Sequence, residues 1–191
     1  GGATVVRDLT LNVRMSAAVA MQIPAVLVYH LSDGADGLKI TSLQAYWELV
    51  PMLAQFGRNG PSALPVGLAL SRALLANQGV GGTLGFARGF RRPGRAARAA
   101  VADLLAALSA GDELSTRRLL GPGAKPGADL PALGERLRGA HASKILAAGR
   151  SITVSLTAGQ SEPRGVLIVD FADQAGIPRI SGLRFLPACS S

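Results

Sequence analysis

The stretch from Ile23 to Trp47, IPAVLVYHLSDGADGLKITSLQAYW, constrains the fold of this chain more than any other. A run rich in valine, leucine and tyrosine meets Asp33-Gly34 and Asp36-Gly37, and an apolar run resumes at Ile40. The segment therefore reads as two strands joined by a tight turn. Glycine reaches positive φ without a Cβ clash, and aspartate tolerates it while bonding neighbouring backbone. After the turn, Ile40, Leu43, Ala45 and Trp47 supply a mostly apolar face. The step from Ile40 to Leu43 breaks strict alternation, which predicts a bulge and a curved sheet.

The C-terminal stretch GVLIVDFADQAGIPRISGLRFLP repeats this pattern, with Val166, Leu167, Asp173, Ile180 and Leu183 matching Val26, Leu27, Asp33, Ile40 and Leu43. An internal duplication accounts for the match, and chance likeness between two apolar hairpins is the plain alternative. Between them, AARAAVADLLAALSAGDELSTRRLL predicts an amphipathic helix through Val101, Leu104, Leu105 and Leu108, a break at Gly111-Asp112 and a second helix to Leu120. GPGAKPGADLP reads as a loop and SITVSL as a strand, while LPALGERLRGAHASKILAAG reads as helical in parts, broken at Gly139 and Gly149. Ahead of the first hairpin, Val5, Leu9, Leu11 and Val13 alternate as in a strand; after it, ELVPMLAQFGRNGPSALP reads as a short helical or irregular exit.

The first hairpin resembles the last hairpin of ketosteroid isomerase and its SnoaL-like relatives, in the nuclear transport factor two-like superfamily. There a strand, a short Asp/Gly turn and a strand ending in an AYW signature close a curved sheet over a buried pocket; the signature here is Gln44-Ala45-Tyr46-Trp47. The helix, AGD, helix arrangement at residues 96–120 is similar to the opening of SnoaL-like domains. The resemblance implies an α+β fold, a curved and mostly antiparallel sheet packed by helices as a cystatin-like cone, in two related units. The first would span 1–60 and lack its N-terminal helices, 61–95 would be a helical, Gly/Arg-rich linker, and 96–191 would be a second, abbreviated unit. The absent helices leave three possibilities: the chain is a fragment, or the layer comes from elsewhere in it, or a partner supplies it.

The resemblance also implies binding of a small hydrophobic molecule, steroid or polyketide-like, against Leu27, Tyr29, Leu43, Ala45 and Trp47; ordinary core is the competing reading of those five. Tyrosine and tryptophan each carry a polar atom that seeks a partner when buried. The family's isomerisation needs a carboxylate base and two neutral oxyanion donors, a tyrosine and an aspartate tuned to stay protonated, as is known of ketosteroid isomerase itself. In the first hairpin the aspartate position holds Val26 or Leu27. In the second unit the tyrosine falls on Leu104 and the aspartate on Leu167, and only the base finds a counterpart, Asp129, after a one-residue shift. The plainer reading of Asp129, a helix cap or solvated loop residue, is the preferred one. Isomerase activity of the steroid delta-isomerase kind is therefore not supported by the residues present.

Twenty Lys and Arg against twelve Asp and Glu give a net charge of +8, a balance that raises nucleic acid as a partner. The cations are nearly all arginine in an Ala- and Gly-rich chain, so coding composition explains them, and nucleic acid is not the expected partner. The cluster Arg88, Arg91, Arg92, Arg95 and Arg98 keeps an anionic-surface binder open as a third function, beside a non-catalytic interaction or dimerisation module. Its glycines lack the Lys-Ser/Thr ending of a P-loop and read as linker. The single cysteine, Cys189, permits no internal disulfide and suits a cytoplasmic setting. Two histidines, His30 and His141, in separate segments argue no metal site and no cofactor. No run of about 20 apolar residues is present, so no membrane span is expected.

Overall fold

The computed structural model describes residues 2–34, 37–73, 76, 93–127, 129–158, 162–174 and 177–188. The chain is mixed α+β, with two curved sheets that do not close. The first sheet has the order β1-β2-β3, from β1 (Gly2–Arg14), β2 (Ala20–Gly34) and β3 (Gly37–Trp47), all antiparallel. Helix α1 (Leu49–Arg58) and a 3-10 turn (Gly60–Ser62) follow, and the chain is helical again through 63–73, here α2. Pro51 sits in the first turn of α1, where its missing N–H breaks no intrahelical bond.

The remaining elements are α3 (Arg95–Ala110), α4 (Glu113–Leu119), β4 (Leu120–Pro126), α5 (Leu130–Leu137), β5 (Ala140–Ala148), β6 (Ser151–Ala158), β7 (Glu162–Gln174) and β8 (Ile177–Pro187). They build a second sheet of order β4-β8-β7-β6-β5, antiparallel except where β4 runs parallel to β8. Two expectations are corrected here. Leu120, read as the end of a helix, and residues 121–126, read as loop, form β4, because the free edge of β8 offers them hydrogen bonds that no local signal encodes. Residues 140–148, read as partly helical, form β5, paired with β6 from Ala140↔Ala158 to Ala148↔Ser151. The expected linker is helical over 63–73, and the glycine-rich run and Arg88, Arg91 and Arg92 lie outside the described residues, as does Cys189.

The expected bulge is present. Register shifts between His30 and Leu31, which face Ser42 and Ile40, leaving Thr41 as the extra residue. The second hairpin shifts between Asp170 and Phe171, which face Gly182 and Ile180. Both hairpins thus share one register with a constant difference of 140 in residue number. Strands β1 and β6 match in the same way, since Val5 pairs Tyr29 as Ile152 pairs Val169.

Helices α3 and α5 cover one face of the second sheet. Val101, Leu104, Leu108, Leu133 and Leu137 pack there against Ile152, Val154, Leu167 and Leu183. The opposite face packs on the first sheet, with Val26, Val28 and Tyr46 against Leu146, Val166 and Ile168, and Val6 and Leu186 at the margin. Successive side chains alternate across a strand, so Leu27, Tyr29, Leu43, Ala45 and Trp47 must lie on the outward face of the first sheet. Residues 26, 28 and 46 and residues 166, 168 and 186, the same register positions of each hairpin, meet across the interface.

Candidate ligand-binding site

The outward face of the first sheet gathers all five sequence-predicted ligand residues. Leu27 stands opposite Ala45, Tyr29 opposite Leu43, and Trp47 opposite Ala25, so cross-strand pairing places them side by side. They do not enclose a hollow. Leu43 is 55% exposed, and Leu38 and Ile40, farther along the ribbon, are also exposed. The matching positions of the second sheet behave differently: Ile180 is 1% exposed and Leu183 0%, both under the helical layer.

An open-sided, apolar cleft adjoins this face at its α1 end. Its volume is about 580 Å³, and it is lined by Met15 from the turn between β1 and β2, Met21 from β2, Met52, Leu53 and Phe56 from α1, and Leu68 from α2, with Ser71 among its few polar neighbours. Its volume falls within the ~300–1,000 Å³ of small-molecule sites. Met21 has the same strand parity as Leu27 and Tyr29, so the cleft continues their face. None of the five expected residues lines it. Sequence reasoning missed it because it forms only when α1 and α2 fold against the hairpin. The available signal was the spacing of Met52, Leu53 and Phe56, one stripe of a helix.

Helix α1 is held by an amide that imitates a strand. Gln55 accepts the backbone N–H of Gln22 through Oε1 at 3.1 Å and donates Nε2 to the Gln22 carbonyl at 2.9 Å. Strand β3 pairs only as far as Ala25, so Gln22 has an open edge that Gln55 fills. At the start of α1, Glu48 accepts both the Arg98 guanidinium of α3 and the Ala147 N–H of β5, tying the first sheet to the second. Arg98, one of the five clustered arginines, is thereby engaged within the protein. Lys144 similarly reaches Asp8 and the Ala25 carbonyl.

The residues that would perform isomerisation stand elsewhere. Leu104 and Leu167 are fully buried in the helix-to-sheet core, which their neighbours fill. Asp129 is exposed at the N-cap of α5, its carbonyl accepting the Leu133 N–H at 2.9 Å, with no side-chain cap bond. His30 and Asp170 share a register position, and each bonds its own neighbour: His30 Nδ1 lies 3.2 Å from Thr4 Oγ1, while Ser151 Oγ donates to Asp170 at 2.6 Å. Arg184 donates to Asp170, to Gln44 and to the Tyr46 hydroxyl at 3.3, 3.3 and 3.0 Å, bridging the two sheets. Burial works against the Arg184 charge, but Tyr46 and Asp170 more than offset it and its pKa moves up.

Among the described residues, no group of three or more His, Cys, Asp or Glu side chains converges to hold a metal, and no helix is long and apolar enough to cross a membrane. No protein-family model, no curated protein and no solved structure matches the chain.

Proposed function

We propose that this is a ketosteroid-isomerase-like protein of two related, cone-like units that binds a small hydrophobic molecule and does not isomerise it. The reading rests on the apolar cleft of about 580 Å³ that continues the Leu27, Tyr29 and Trp47 face. Support for two units comes from the shared register and shared bulge at a constant difference of 140. Support for a binding rather than catalytic role comes from leucine at both donor positions, 104 and 167, inside a filled core. Methionines at Met15, Met21 and Met52 suit a site that adapts to ligand shape, because the unbranched thioether fills irregular space.

The test is titration with Nile red, a neutral apolar dye, followed by displacement with a neutral steroid. Saturable dye binding is expected, weakened at least tenfold by Leu53→Glu in the cleft and unaffected by Leu114→Glu on α4, far from it. Equal effects of the two variants would overturn the site. A β,γ-unsaturated ketosteroid is expected to isomerise no faster than in buffer.

A second reading, an interaction module, is favoured by the contrast between Ile40 at 61% exposed and Ile180 at 1%. The first sheet presents the face that the second covers with α3 and α5, so a helical layer is the complementary occupant. Leu43→Glu would then abolish association while sparing dye binding in the cleft.

A further inference from the structure

Helix α1 separates two differently lined spaces. On one side is the apolar cleft of Met52, Leu53 and Phe56. On the other is a polar groove that includes Thr10, Asn12, Arg14, Gln22, Gln55 and Arg58. The two are contiguous along the chain at three points: Arg14 lines the groove and Met15 the cleft, Gln22 the groove and Met21 both, and Arg58 the groove and Gly57 the cleft.

The groove carries two cations and no acid in its lining. Arg14 and Arg58 are exposed, and neither forms an ion pair or side-chain hydrogen bond among the described residues. Arg98, Lys144 and Arg184, which reach across to other elements, instead each meet a carboxylate. Two unpaired guanidiniums beside an apolar cleft match a molecule that is apolar along its body and anionic at one end, since guanidinium binds carboxylate or phosphate through paired N–H donors. Thr10, Asn12 and the amide of Gln55 add neutral hydrogen-bonding capacity along the groove.

We propose that the ligand is a single-chain amphiphile with an anionic head, of the fatty-acid class, whose chain lies in the cleft and whose carboxylate reaches Arg14 and Arg58 around α1. This rests on the reading of the cleft as a hydrophobic-ligand site and adds the head-group chemistry. A neutral steroid would use the cleft alone and leave both arginines unpaired.

The experiment displaces Nile red from the full chain with laurate, with dodecanol of equal length, and with phosphatidylglycerol vesicles. Laurate is expected to displace dye at about tenfold lower concentration than dodecanol, the effect of one charge-assisted contact. The gap should close in Arg14→Gln/Arg58→Gln and persist in Arg14→Lys/Arg58→Lys. Equal displacement by laurate and dodecanol overturns the head-group inference while leaving the hydrophobic site standing. Absence of saturable dye binding that Leu53→Glu weakens overturns the site itself. Displacement by vesicles with none by monomeric laurate overturns the proposal in favour of a membrane surface.

Discussion

Thr153 and Ser155 lie on the face of β6 that meets the first sheet, and their hydroxyls are buried without a hydrogen-bond partner among the described residues. A hydroxyl taken out of water without compensation costs on the order of 1–3 kcal/mol. The chain carries an apolar solution at the corresponding position, because Val6 pairs Val28 as Thr153 pairs Ile168. Thr153→Val should therefore raise the unfolding free energy by about 1 kcal/mol in urea denaturation. An unchanged or lowered midpoint would mean that the hydroxyl is satisfied by bound water. The polar cluster of Arg184, Tyr46, Gln44 and Asp170 shows the opposite arrangement in the same interface, since these side chains bond one another.

At the scale of elements, the junction between α3 and α4 was legible in the sequence because its determinants are local. Gly111 ends α3 with φ at +69°, a conformation in which a side chain would be strained, and Asp112 caps α4 by accepting the Ser115 N–H at 2.9 Å. Hydrogen bonds from the Ser115 hydroxyl and backbone, with smaller help from the Leu114 N–H and the Arg118 charge, hold the Asp112 carboxyl below its ordinary value of 3.8. A lowered folded pKa contributes stability above the unfolded value, lost as pH falls through the folded one. The thermal midpoint of Asp112→Ala should accordingly lie below that of the parent at neutral pH, the difference shrinking as pH drops below 3.8; a pH-independent difference would exclude the carboxylate as its source. Strands β4 and β5 were not legible, for opposite reasons. In β4, glycine and proline masked a strand that pairs with distant β8. In β5, Leu146 is buried toward the first sheet and Ala147 toward the helices, so alternation vanishes where both faces are covered. The outward face of the first hairpin was readable because period-two alternation fixes it, whereas the cleft required the docking of α1 and α2.

In the whole molecule the two sheets are unequal. The second is covered on both faces, by helices and by the first sheet; the first buries one face against its neighbour and leaves Leu38, Ile40 and Leu43 in solvent. A three-stranded sheet needs an apolar face packed to persist in water. The stability of the first sheet therefore depends on Val26, Val28 and Tyr46 meeting Val166 and Ile168, with the Glu48 and Lys144 contacts at its border. The single tryptophan, Trp47, ends β3 and reports on the first sheet alone, while far-UV circular dichroism averages over both. In the parent protein both signals should change together in urea, as for one cooperative unit. Ile168→Ala removes apolar volume from the interface at a cost of about 2–5 kcal/mol. Adding Val28→Ala loosens the facing surface, and the Trp47 transition should then move to lower urea and precede the dichroism change. If the two signals stay coincident in the double variant, the first sheet draws its stability from its other contacts, and the back-to-back packing is not what holds it.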